Sequence, residues 1–198
     1  MSSGSQHDTF AGAWLRGSTR FLEGVLAANR AALAAFGGRE SDDAPAEGAL
    51  TGAERPGWEV DLTEHRRDAL SVGDRVRFTK TLSDADVRAF ARSSGDTNPL
   101  HLDEGFAERT RFGGRIVHGT LASGLVSAAL ARLPGLVVYL SQDVEFRNPI
   151  GIGDRATAEC EIVEDLGEHR YRIATRVTTD DATAIDGEAV VLLDEVDD

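Results

Sequence analysis

The chain is 198 residues long, enough for one substantial buried core with an appendage and crowded for two full domains. Its 34 acidic residues against 21 basic ones give a formal net charge of −13, which makes nucleic acid and anionic membranes poor partners. The single cysteine, Cys160, excludes an intrachain disulfide and a cysteine-rich zinc site; no run approaches the roughly 18 apolar residues of a membrane span, and Met1 to Asp8 lacks the basic flank of a signal peptide, so a cytoplasmic protein is expected.

Lys80 is the only lysine, and every other base is an arginine. An acid-rich, lysine-poor surface stays hydrated when salt screens its self-repulsion, which suits a halophilic source; codon bias in a GC-rich genome gives the same composition.

In chain order, residues 1–38 are expected to form an N-terminal amphipathic helical extension. Phe10, Trp14, Phe21, Val25, Ala28 and Ala32 recur at helical spacings, and Leu15, Leu22, Leu26 and Leu33 widen the stripe. Gly37-Gly38 stops it, and residues 39–58 carry Gly, Ala, Pro, Asp and Glu without periodicity, as a flexible linker does. Residues 59–198 then read as one α+β domain. Arg75 to Thr81 alternates like a strand. Ser83 caps a helix with Val87, Phe90 and Ala91 on one face. A loop through Gly95-Asp96-Thr97-Asn98-Pro99 leads to a short helix near Asp103 with Phe106 facing inward, and His118 to Leu133 is apolar nearly all round, as a buried central helix ended by Pro134-Gly135 would be. Strands follow. Val144 and Phe146, then Ala156 to Ile162 with Cys160 as a core thiol, then Tyr171 to Val177, each alternate with polar neighbours; Ala189 to Leu193 is apolar throughout and belongs inside the sheet. One antiparallel sheet wrapped around one long helix buries all these faces. There is no internal repeat and no metal-binding spacing.

Two segments carry candidate chemistry. Asp96 and His101 lie five apart in a Gly/Pro loop and can converge on one water, offering proton acceptance and donation beside a carbonyl. The same Asp-x-Asn-Pro stretch is also an ordinary turn in which Asp and Asn bond their own backbone. Ile116-Val117-His118-Gly119 enters the apolar helix, where unpaired N–H groups and the helix dipole suit an enolate oxyanion and Gly119 leaves room for it; alternatively His118 and Gly119 simply cap the helix.

Together, Ser94-Gly95-Asp96-Thr97-Asn98-Pro99-Leu100-His101 and Phe112-Gly113-Gly114-Arg115-Ile116-Val117-His118-Gly119 resemble the hydratase-2 motif of the MaoC-like, (R)-specific enoyl-CoA hydratases. Tyr139 to Gln142 and Phe146 to Ile150 are similar to that family too, and the likeness runs from about Val72 to about Leu193. The resemblance implies a hot-dog fold, usually a homodimer, acting on an enoyl-CoA, with no cofactor beyond the coenzyme A of the substrate and no metal. It implies that Asp96 and His101 activate water and return a proton, that the Gly119 N–H polarises the thioester carbonyl, that Ser127 supports Asp96, and that Asn98 shapes the loop or touches the substrate. His118 would touch the ligand or orient the helix start. Arg109, Arg111, Arg115 and Arg147 are candidates for the coenzyme A phosphates, against a surface role. Rival readings are a hot-dog acyl-CoA thioesterase, an acyl-carrier-protein dehydratase, and a docking protein whose residues 10–36 bind a polyhydroxyalkanoate granule or its synthase.

Overall fold

The computed structural model describes residues 57–194. The expected N-terminal helix, and the linker as far as residue 56, lie outside them. The described elements are β1 (Glu59–Leu62), a 3-10 turn (Arg67–Ala69), β2 (Arg75–Thr81), α1 (Asp84–Ser94), α2 (Pro99–Leu102), α3 (Glu104–Ala107), α4 (Gly119–Leu130), β3 (Leu136–Phe146), β4 (Arg155–Gly167), β5 (Arg170–Thr178) and β6 (Thr183–Asp194).

The six strands form one sheet in the order β1-β2-β4-β5-β6-β3, and every adjacent pair is antiparallel. Period-2 alternation puts Ala156, Ala158, Cys160 and Ile162 of β4 on the same buried face as Tyr171, Ile173, Thr175 and Val177 of β5. α4 lies on this face, packed against β2, β4 and β5. Its Leu125, Val126, Ala129 and Leu130 are buried, and each fully buried Val or Leu side chain contributes about 1.5–3 kcal/mol. A sheet curled around one apolar helix is the hot-dog arrangement. β6 is paired on both sides, by β5 and β3, as its continuous apolar run demands.

Three local expectations change. α4 stops at Leu130 rather than Leu133, and the chain turns before Gly135, which adopts a left-handed φ of 98°. Phe106 is 39% exposed, because α3 is a single turn that buries Ala107 instead. His101 is not in a loop; it sits on α2. At the sheet edge, β3 bulges at Leu140, the extra residue between Tyr139 and Ser141, and this resets which side chains face inward. Gly187 of β6 lets β3 pass close by: a Cβ there would lie 2.1 Å from the Asp143 carbonyl oxygen.

Candidate active site

The site begins at the end of α1. Ser83 and Asp86 form a reciprocal capping box, and the helix closes at Gly95, whose left-handed φ of 77° reverses the chain toward Asp96. Asp96 Oδ1 accepts the Asn98 N–H at 3.2 Å, and Asn98 Oδ1 accepts the Leu100 N–H at 3.0 Å, capping α2 with Pro99 in its first turn. The turn and the candidate chemistry are therefore one structure: the Asx bonds build the short helix that presents His101.

Two imidazoles meet beneath this loop. His101 and His118 stack with ring centroids 3.9 Å apart and planes 31° from parallel. The nitrogen His101 Nδ1 lies 2.9 Å from the Ile116 carbonyl oxygen, which can only accept, so Nδ1 carries the hydrogen and Nε2 of the neutral ring keeps a lone pair. The same logic applies to His118, whose Nε2–H donates to the Asp96 carbonyl at 3.1 Å. Its Nδ1 is buried without a hydrogen-bond partner, and burial, with the neighbouring His101 adding to it, holds the ring below its ordinary pKa; the bond to Asp96 only partly opposes this. One polar atom each from Asp96, His101 and His118 falls within 4.8 Å of the other two. By donor type the three could hold a water molecule or a metal ion; one nitrogen of each ring is already held by a carbonyl, that of Ile116 for His101 and that of Asp96 for His118.

The start of α4 supplies the third component. Val117 N–H donates to the Ile150 carbonyl at 2.8 Å, and Ile116 bridges Gly151, so the strand-like lead-in is pinned before the helix opens. Gly119, the first helical residue, has an N–H without an intrahelical acceptor, at the positive end of the helix dipole. Gly119 and His101 share the wall of a cavity of about 240 Å³, whose other side is apolar: Phe112, Ala122, Phe146, Ile150 and Ile185. Asp96 is exposed and does not line this cavity; a carboxylate oxygen of it lies within 4.8 Å of a His101 ring nitrogen. A Cβ at residue 119 would come within 2.8 Å of the Phe146 ring, so any larger residue there pushes that side chain aside at the cavity wall. The arrangement places an imidazole and a backbone donor on an apolar slot, with a carboxylate beside the imidazole.

Other candidates stand apart. Ser127 is exposed on α4, and its hydroxyl makes no hydrogen bond to Asp96 among the described residues. Arg115 bridges Asp84 at 2.7 Å and Glu104 at 2.9 Å, which ties α1 to α3, and Arg147 pairs with Glu145 at 2.8 Å. Arg111 lies over the Phe112 ring and, like Arg147, lines the cavity; Arg109 is exposed. His65 and His169 are exposed, and His7 lies outside the described residues. Sequence reasoning missed Ile116, which acts through its carbonyl and so leaves no side-chain signal. It also missed Phe90, whose ring meets His118 at 4.9 Å although its place on the inner face of α1 was legible.

Known proteins resemble this chain in sequence and in fold. Residues 69–184 match the MaoC like domain. A 3-hydroxybutyryl-CoA dehydratase of Methylorubrum extorquens is 46% identical over 125 residues, 62% of this chain and 80% of that protein. An (R)-specific enoyl-CoA hydratase of Aeromonas caviae is 44% identical over 130 residues, covering 63% of this chain and 96% of the relative. Among solved structures, the unliganded R-hydratase PhaJ1 of Pseudomonas aeruginosa superposes with a TM-score of 0.63 at 37% identity, over 70% of this chain and 90% of its own. The family match spans more than half of the sequence and contains Asp96, His101 and Gly119, and the chain therefore belongs to the MaoC-like family.

Proposed function

We propose that the protein is an (R)-specific enoyl-CoA hydratase, a hydro-lyase that adds water reversibly to a trans-2-enoyl-CoA to give an (R)-3-hydroxyacyl-CoA. The observation that carries this reading is His101, held through Nδ1 by the Ile116 carbonyl, in the wall of a cavity it shares with Gly119. In this mechanism a water held between the Asp96 carboxylate and His101 Nε2 gives up a proton to the pair as its oxygen bonds to the β-carbon. Electron density moves through the conjugated system to the thioester oxygen, to which the Gly119 N–H donates a hydrogen bond. The proton then returns from the pair to the α-carbon, so one water is consumed and no charge is left over. The oxyanion donor is worth on the order of 3 kcal/mol and the acid/base pair about two to four orders of magnitude in rate.

A homodimer in the cytoplasm accompanies this proposal. Among the described residues β3 is an edge strand, with Leu136 50%, Leu140 45% and Phe146 54% exposed, a surface that a second copy would cover. Docking of residues 10–36 on a granule or synthase is a separate proposal, tested by deleting residues 1–56 and following co-sedimentation. The activity itself is tested by following the conjugated thioester of crotonyl-CoA together with free thiol. Hydration without thiol release is expected, and Asp96→Asn or His101→Ala each abolishes it nearly completely in a folded protein. Thiol release without hydration would favour a thioesterase.

A further inference from the structure

The most unusual side chain beside the Asp96 and His101 pair is His118. It is 1% exposed, caps α4 without using its ring to do so, and buries Nδ1 with no partner. A buried polar atom left unsatisfied is costly and calls for a reason. The reason lies at the other nitrogen, which reaches the backbone of Asp96, 22 residues earlier in the chain. Asp96 otherwise belongs to an exposed turn that only its Asx and serine bonds define.

We propose that His118 is a positioning residue: its Nε2–H holds the Asp96 carbonyl, and through it the Asp96 carboxylate, against the start of α4, while its ring face sets the plane of His101. This rests on the hydratase function proposed above. One residue thereby joins the carboxylate loop, the imidazole and, through its peptide link to Gly119, the oxyanion donor. Three groups from three elements are registered by one side chain. His118 takes no proton in turnover. Protonation would place an N–H at the buried Nδ1, where no acceptor waits, beside the Phe90 and His101 rings.

Three substitutions separate positioning from proton transfer. His118→Gln puts an amide N–H the same number of bonds from Cβ as Nε2 and cannot titrate. His118→Asn carries a donor that stops one atom short. His118→Leu removes the donor altogether. A misplacement of about 1 Å costs up to roughly 100-fold in rate, so the Leu and Asn variants are expected to lose about 10- to 100-fold in kcat on crotonyl-CoA with KM within about twofold, and the Gln variant to recover most of it. Full turnover in a folded Leu or Asn variant overturns the proposal, as does a folded Gln variant as slow as Leu, which would make the ring itself a proton carrier. The second readout does not depend on turnover. The backbone amide resonances of Asp96 and Thr97 should shift in the Leu and Asn variants and stay near wild type in Gln; resonances unmoved in Asn overturn the positioning role. A wild type inert toward enoyl-CoAs would instead remove the hydratase function and leave these resonances to decide the role of His118.

Discussion

Replacing Gly119 by alanine tests whether the helix start is a packing site or a reaction site. The new Cβ would stand 2.8 Å from Phe146 Cε1 and 3.0 Å from Cδ1. Carbon atoms rest at about 3.5–4.0 Å, so the ring must retreat by roughly 0.5–1 Å. It can do so, because Phe146 is 54% exposed at the cavity mouth and only a flexible side chain opposes the methyl group. Alanine is also about 1 kcal/mol better than glycine within a helix, which offsets part of the strain. The expected stability change is therefore within about 1 kcal/mol, some 2–4 °C in melting temperature for a domain of this size. Activity should suffer more, since the methyl group and the displaced ring both crowd the Gly119 N–H: about a 10- to 100-fold loss of kcat/KM on crotonyl-CoA. Gly187→Ala is the control. Its Cβ would meet backbone atoms, the Asp143 oxygen at 2.1 Å and the Val144 Cα at 2.9 Å, which cannot step aside, so it should destabilise by about 3 kcal/mol or more. Melting curves and steady-state assays on both variants decide the matter. Wild-type turnover in Gly119→Ala would remove the N–H from the reaction centre, and a melting loss equal to that of Gly187→Ala would make Gly119 a packing residue alone.

Three further outcomes are expected. Asn98→Ala removes the cap of the one-turn helix that carries His101, worth about 1 kcal/mol locally, and should lower kcat while Asn98→Ser retains more of it; equal activity in the two, read by the same assay, would show that the cap does not place His101. Because burial lowers the pKa of His118 below the ordinary 6.5, the unfolded chain binds the proton more readily, so stability is full above that value and falls as pH drops below it; the His118→Gln variant should lack this component in melting temperatures taken from pH 7.5 to 5.5, and identical pH slopes would refute it. The net charge of −13 should make folding improve with added salt if self-repulsion matters, and full stability at low salt would leave codon bias as the reason for the composition.

Much of the fold was legible because its signals are local. The alternation in β4 and β5, the Ser83 cap and the apolar stripe of α4 are each written in a short window, and each element formed where its pattern lies. What depends on contacts between distant segments was not legible. Phe146 alternates like an inward residue and does reach α4, but at an open end of the fold, which no window of β3 reveals. Phe106 fails similarly, since one helical turn buries only a single position. At the site, Asp96, His101 and Gly119 stood out by residue type, whereas the tautomer of His101 depends on a carbonyl 15 residues away and the hold on Asp96 on an imidazole 22 residues away. Ser127 shows the converse: a role implied by resemblance has no contact to support it in the described residues.

The most direct test of the central claim is to incubate the protein with crotonyl-CoA and water and to assign the configuration of the product at its β-carbon. The expected product is 3-hydroxybutyryl-CoA of the (R) configuration, formed without free thiol and lost in Asp96→Asn. An (S) product, or an enoyl thioester that is cleaved rather than hydrated, would contradict it.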